Sequence, residues 1–233
     1  MINIFIKKIL EYLSFPYNLR SERLSLKQKK IQNSLSQELN RKSHKEILFT
    51  HKIFSKEIYS LIKNKNLQNF LRKNFIQKMF FIHNRFFLIP HFFEIFFSKS
   101  LKKLLTDDMV GNPVPFFLYK KTSGNRIRCL YHLKKILDFC SRKKIKNNFD
   151  LVVEVGGGYG SFARIYKLMR PKTKFILFDT PEVAMLQCYY LRSLNYKISI
   201  NKFSKDISIY YNYKKLYLLL KKFKNKKILF IST

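Results

Sequence analysis

The chain has 233 residues and carries 47 Lys and Arg against 14 Asp and Glu, a net charge of +33. This length admits one sizeable core, or a main domain with a helical extension, and excludes a short peptide. So large a positive field suits a polyanion, either nucleic acid or an acidic membrane surface, yet the excess is not local: it is +22 over residues 1–149 and +11 over 150–233. Heavy use of Phe, Ile, Asn and Tyr accompanies the lysines throughout, a pattern of A+T-rich codons, so genome composition accounts for the charge better than selection for a polyanion. Cys129, Cys140 and Cys188 are odd in number and lack C-x-x-C spacing, which argues against a disulfide framework or a zinc site and fits a reducing cytoplasm.

The first fifteen residues, "MINIFIKKILEYLSF", have only a short apolar run before Lys7 and Lys8, and no small-residue cleavage site follows, so they do not read as a signal peptide. Residues 1–105 form a predicted helical N-terminal region, rich in Leu, Ile, Phe, Lys and Gln, with no glycine and punctuated by Pro16 and Pro90. Within it, "MFFIHNRFFLIPHFFEIFF" at 79–97 holds eight phenylalanines. His83, Asn84, Arg85, His91 and Glu94 interrupt that run, which predicts a buried, Pro90-kinked helix pair rather than a transmembrane segment. Basic residues surround it, so a peripheral membrane contact stays open.

Residues 106–149 are expected to form a connector and a helix packing on the core. "TDDMVGNPVPFFLYKKTSGN" reads as a turn and an extended segment, with Thr122 and Ser123 as N-caps for the helix that follows. In that helix Leu130, Leu133, Leu137 and Cys140 recur at helical spacing. A polar connector, 141–149, leads to a change of pattern at Asp150.

From Asp150 to Thr233, apolar strands alternate with helices. Leu151–Val155, Phe175–Phe178, Ile198–Ile200 and Ile228–Ile231 are predicted strands. The intervening helices are one stopped by Pro171, one opened by Thr180, Pro181 and Glu182 and running to about Ser193, and one over Lys214–Lys222. The alternation predicts an α/β, Rossmann-like parallel sheet.

The first strand runs into "VVEVGGGYG", where four of the six glycines of the chain stand within five residues. A ligand bound at the carboxyl end of a parallel sheet needs such a turn so that it can lie against the main chain, and an acid ending the second strand can accept hydrogen bonds from ribose hydroxyls. Asp179 is placed for that role, 19 residues beyond Gly160. A dinucleotide turn, G-x-G-x-x-G, would need glycine where Ser161 stands, whereas acid-x-G-x-G-x-G is matched in full by Glu154, Gly156, Gly158 and Gly160. An anion at Glu154 disfavours a pyrophosphate and suits a cation. S-adenosylmethionine, with its sulfonium and α-ammonium groups, is therefore the expected cofactor. An ordinary tight turn and a helix N-terminal acid are the plain alternatives. Tyr159 either flanks the ligand or shields the turn.

"VVEVGGGYGSFARI" followed by "FDTPEVAMLQCYYL" resembles the sugar O-methyltransferase family of bacteria, within the class I S-adenosylmethionine-dependent methyltransferases. Gly111, Asn112 and Pro113, and the helix with Arg128, Tyr131 and His132, are similar to its approach to the cofactor domain, and the resemblance covers about residues 105–195. It implies that Glu154, Gly156, Gly157, Gly158 and Gly160 line the methionine and ribose part of the donor, that Asp179 holds the ribose, and that a sugar or glycan hydroxyl is the acceptor. Ser161 and Thr180 stand where the family pattern would have Gly and Leu. The class I sheet is longer than the 84 residues from Asp150 can build, since these suffice for four strands. The expectation is an incomplete sheet, from a truncated or split gene, with an exposed strand edge prone to association.

The reaction so implied is an in-line displacement that needs positioning and a general base, for which the sequence nominates no residue; His132 reads more readily as structural. No metal-binding cluster is visible. Two other readings remain: a basic, aromatic binding protein for nucleic acid or anionic membrane with a vestigial cofactor fold, and a dinucleotide oxidoreductase, which Glu154 and Ser161 disfavour.

Overall fold

The structure is a computed structural model that describes residues 25–40, 52–80, 86–204, 206–223 and 226–232. The expectations for residues 1–24, and for the middle of the aromatic run at 81–85, lie outside the described residues. The chain divides into two compact units, one from Gln68–Lys135 and one from Leu24–Leu67 and Ile136–Thr233. These boundaries do not follow the composition shifts near 105 and 149.

The larger unit is α/β. Its five strands, all parallel, are β3 (Leu151–Val155), β4 (Lys174–Phe178), β5 (Ile198–Ile200), β6 (Ile207–Tyr210) and β7 (Ile228–Ser232), in the order β5-β6-β4-β3-β7. All four predicted strands match to within a residue or so, as do the helices α7 (Ser161–Met169), α8 (Pro181–Ser193) and α9 (Tyr213–Lys221). What differs is an added strand. Ile198–Ile200 does form a strand, but β6 inserts between it and β4, so the sheet has five strands rather than four and Ile198–Ile200 lies at its edge. β6 escaped the sequence reading because "ISIY" lies between polar stretches and is only four residues long, although all four are buried.

Two helices, α1 (Leu26–Asn40) and α2 (Lys52–Lys63), belong to this unit and pack on α8. That placement explains a peculiarity of α8: Glu182 through Leu191 are buried without interruption. A helix apolar on every side must be covered on every side. The strands β5 and β6 lie against one flank of α8, and α1 and α2, with Leu35, Ile58 and Ile62 buried, against another. Elsewhere on the sheet Leu151, Val153, Ile176 and Tyr210 cluster with Leu216, Leu219 and Leu220 of α9. Phe175, one residue out of phase with Ile176, meets Tyr166 of α7 at 5.8 Å between ring centres, as the two-residue period of a strand requires.

The smaller unit holds a short 3-10 turn (Phe70–Arg72), α3 (Asn74–Phe80), α4 (Leu88–Phe96), α5 (Lys99–Lys102), a hairpin of β1 (Pro115–Phe116) and β2 (Tyr119–Ser123), and the first part of α6 (Gly124–Arg142). Ser123 caps α6, its Oγ accepting from the Arg126 N–H at 3.1 Å, as its place in the sequence predicts. Pro90 does not kink a helix. It lies in the first turn of α4, where a missing N–H breaks no intrahelical bond. Arg126, 1% exposed, lies between Asp107 and Asp108 and donates to the Leu104 carbonyl at 2.8 Å. Among the described residues no helix is long and apolar enough to cross a membrane, and Cys129, Cys140 and Cys188 are buried.

Candidate functional site

β3 is the strand at which the winding of the sheet reverses. The chain steps from β3 to β4 and β6 on one side, then returns to place β7 on the other. A ligand crevice in an open parallel sheet forms at the carboxyl ends of the strands where such a reversal occurs. The glycine turn follows β3 directly, so the sequence puts its most permissive backbone at this position.

Gly156, Gly158 and Gly160 have φ of 74°, 54° and 94°, and the turn is closed by Gly158 N–H donating to the Gly156 carbonyl (2.8 Å) and Gly160 N–H to that of Gly157 (2.9 Å). Gly156 N–H donates to the Phe178 carbonyl at 3.0 Å, fastening the turn to the end of β4. α7 begins immediately afterwards at Ser161. Gly157 is required by what lies beneath it: a Cβ there would stand 2.8 Å from Glu154 Cδ and 2.8 Å from Leu177 Cδ2.

Glu154 is accordingly buried under the turn, at 0% exposure, between Leu177 and Ile231 in the register of the neighbouring strands. Its side chain is covered by the Gly157 backbone and has no open face to solvent. Tyr159 is also buried, with its ring edge-on to Tyr190 at 4.9 Å. Of the two roles open to it, the packing favours shielding the turn.

Asp179 follows β4, and its N–H donates to the Tyr210 carbonyl at 3.0 Å. Its carboxylate accepts from Thr180 N–H (2.9 Å, Oδ1) and from Gln187 Nε2 (3.0 Å, Oδ2). Burial pushes the Asp179 carboxyl up to about 7, against those two hydrogen bonds, which favour the ionised form. Thr180 has the extended backbone of an N-cap, but its hydroxyl makes no cap bond. Its Oγ1 and the Ser161 Oγ are buried with no hydrogen-bond partner among the described residues.

Gln187 joins the two halves of the arrangement. Fully buried on α8, it donates through one amide nitrogen to the Gly158 carbonyl (2.9 Å) and to Asp179 (3.0 Å). Sequence reasoning missed this residue. The signal was present, since Gln187 is the one amide in the apolar run "VAMLQCYYL", two helical turns beyond Thr180.

No protein-family model, curated protein or solved structure matches this chain. The remaining residues of the resemblance lie in the smaller unit. Gly111, Asn112 and Pro113 form a turn docked on the 3-10 segment: Leu71 N–H donates to the Gly111 carbonyl (3.0 Å) and Arg72 Nε to that of Asn112 (2.9 Å). His132 is exposed on α6.

Proposed function

We propose that the chain binds S-adenosylmethionine at the β3 turn and transfers its methyl group to a hydroxyl, on a sugar or glycan as the family resemblance suggests, within a Rossmann-like methyltransferase fold. The observation that carries this reading is the Gly158–Gln187–Asp179 connection. It holds an acid and a glycine turn at fixed separation at the carboxyl ends of adjacent parallel strands, where a nucleoside with a ribose diol would lie across both.

The residues fit such a ligand on three counts. Asp179 accepts hydrogen bonds and retains lone pairs for a diol; Ser161 Oγ and Thr180 Oγ1 are buried polar atoms whose hydrogen bonding a ligand would complete. The negative side chain type at Glu154 disfavours a pyrophosphate directly above it. When bound, the cofactor supplies an electrophilic methyl on a sulfonium. The chain supplies position: the turn holds the donor against the backbone, and Asp179 fixes its ribose end.

Titration with S-adenosylhomocysteine and with NADH tests the reading. Saturable binding of the homocysteine compound, lost about tenfold or more in Asp179→Ala, is the expected result. Saturable binding of NADH alone would overturn it.

A further inference from the structure

We propose that the α4 face of the smaller unit docks on an anionic lipid surface. The inference is independent of the cofactor site.

Helical backbone extends from Phe87 through Phe97, with both flanking residues in the αR region. Pro90, Phe93 and Phe97 follow one another at spacings of three and four, which places them on one side of the helix. All three are exposed, Phe93 by 44% and Phe97 by 75%; Phe86, 46% exposed, precedes the helix with its ring 5.3 Å from that of Phe117. The opposite side is committed to the core, since Leu88, Phe92 and Ile95 are buried. The helix therefore cannot turn its outer rings inward without exposing others. A ridge of large aromatic side chains in water, backed by a fixed core, is the kind of exposed apolar patch that marks a docking surface.

The charge around the ridge selects the occupant. Lys99, Lys102 and Lys103 follow directly, and Lys102 Nζ lies 4.2 Å from the centre of the Phe96 ring. Glu94 is the one acid in α4, and Lys134 Nζ pairs with it at 3.5 Å. Phenyl groups that enter the acyl boundary beside lysines that meet lipid phosphates are the chemistry of an interfacial helix. Phe93 and Phe97 stack on each other, with centres 6.0 Å apart and planes 15° apart, and so form a joined apolar ridge. Nucleic acid would instead call for separate ring faces on which bases can stack. At nine residues α4 is too short to span a bilayer, so it lies along the surface.

The test is co-sedimentation of the full chain with phosphatidylglycerol-rich vesicles, with pure phosphatidylcholine vesicles, and competition by single-stranded DNA. Partition onto the anionic vesicles is expected, falling about tenfold in Phe93→Ser/Phe97→Ser, the order of two partly inserted rings, and falling also in Lys99→Gln/Lys103→Gln. Both variants change exposed side chains, so an unchanged thermal midpoint separates lost docking from lost folding. Absence of partition, equal partition of the serine variant, or release of the chain from vesicles by DNA with the phenylalanines immaterial would each overturn the proposal.

Discussion

Asp179 illustrates how a single side chain can be placed at the expense of its own ionisation. Its carboxyl is raised from an ordinary 3.8 to about 7 by burial, so the folded state holds the proton more tightly than the unfolded chain does. The contribution of this group to stability is therefore full below pH 4 and is lost as the pH rises through about 7. Asp179→Asn, whose single amide oxygen serves only one of the two donors, Thr180 N–H and Gln187 Nε2, should be less costly at pH 8 than near pH 4 by about 1–3 kcal/mol; urea denaturation at the two values measures this. An equal effect at both would mean that the carboxyl is not held protonated by its surroundings. A ribose diol donating to the carboxylate favours the ionised form, so S-adenosylhomocysteine affinity should rise between about pH 6 and pH 8. Arg126 raises the complementary case of a buried charge with partners. Arg126→Ala leaves Asp107 without its cation in a buried setting and should cost about 3–5 kcal/mol, measured by thermal or urea unfolding.

The turn after β3 shows which features of an element sequence can announce. Glycines at 156, 158 and 160 coincide with positive φ, and the acid that ends β4 lies where the spacing from the turn put it. Pro181 opens α8 and Pro171 stops α7 as their ring chemistry demands. What sequence could not announce were the relations set by packing. Gly157 has an ordinary place in the motif, yet it is the glycine with Glu154 and Leu177 directly beneath it. Gly157→Ala should cost about 1–3 kcal/mol through overpacking and should weaken nucleoside binding by shifting the turn; a neutral result in both measurements would show that the Glu154 side chain moves aside freely. β6 was illegible for a different reason. Four residues of alternating Ile, Ser, Ile and Tyr carry too little periodicity to outweigh the polar residues around them, and only the ladders with β4 and β5 define the strand. Its insertion makes Ile198–Ile200 an edge. β7 pairs with β3 alone among the described strands and leaves Phe230 60% exposed.

At the scale of the whole molecule, composition proved a better guide to helix content than to grouping. The N-terminal region does contain helices, but α1 and α2 join the sheet unit because α8 needs a second covering layer. Ile58→Ala on α2 should therefore destabilise the larger unit by about 2–5 kcal/mol, and hydrogen exchange of the α8 amides should accelerate with it. Slowed exchange, or none of the effect reaching α8, would contradict the packing described. Since Gln187 lies on α8, nucleoside affinity should fall in the same variant.

That covering layer also imposes an order of events during synthesis. α2 ends at Lys63 and α8 begins at Pro181, so the apolar sides of α1 and α2 emerge about 120 residues before the helix they cover, an interval of roughly 6–24 s at ordinary translation rates. The smaller unit, encoded between them, can complete its own core in that time. The larger one must wait with α1 and α2 uncovered, which makes these helices natural clients for a chaperone until α8 arrives.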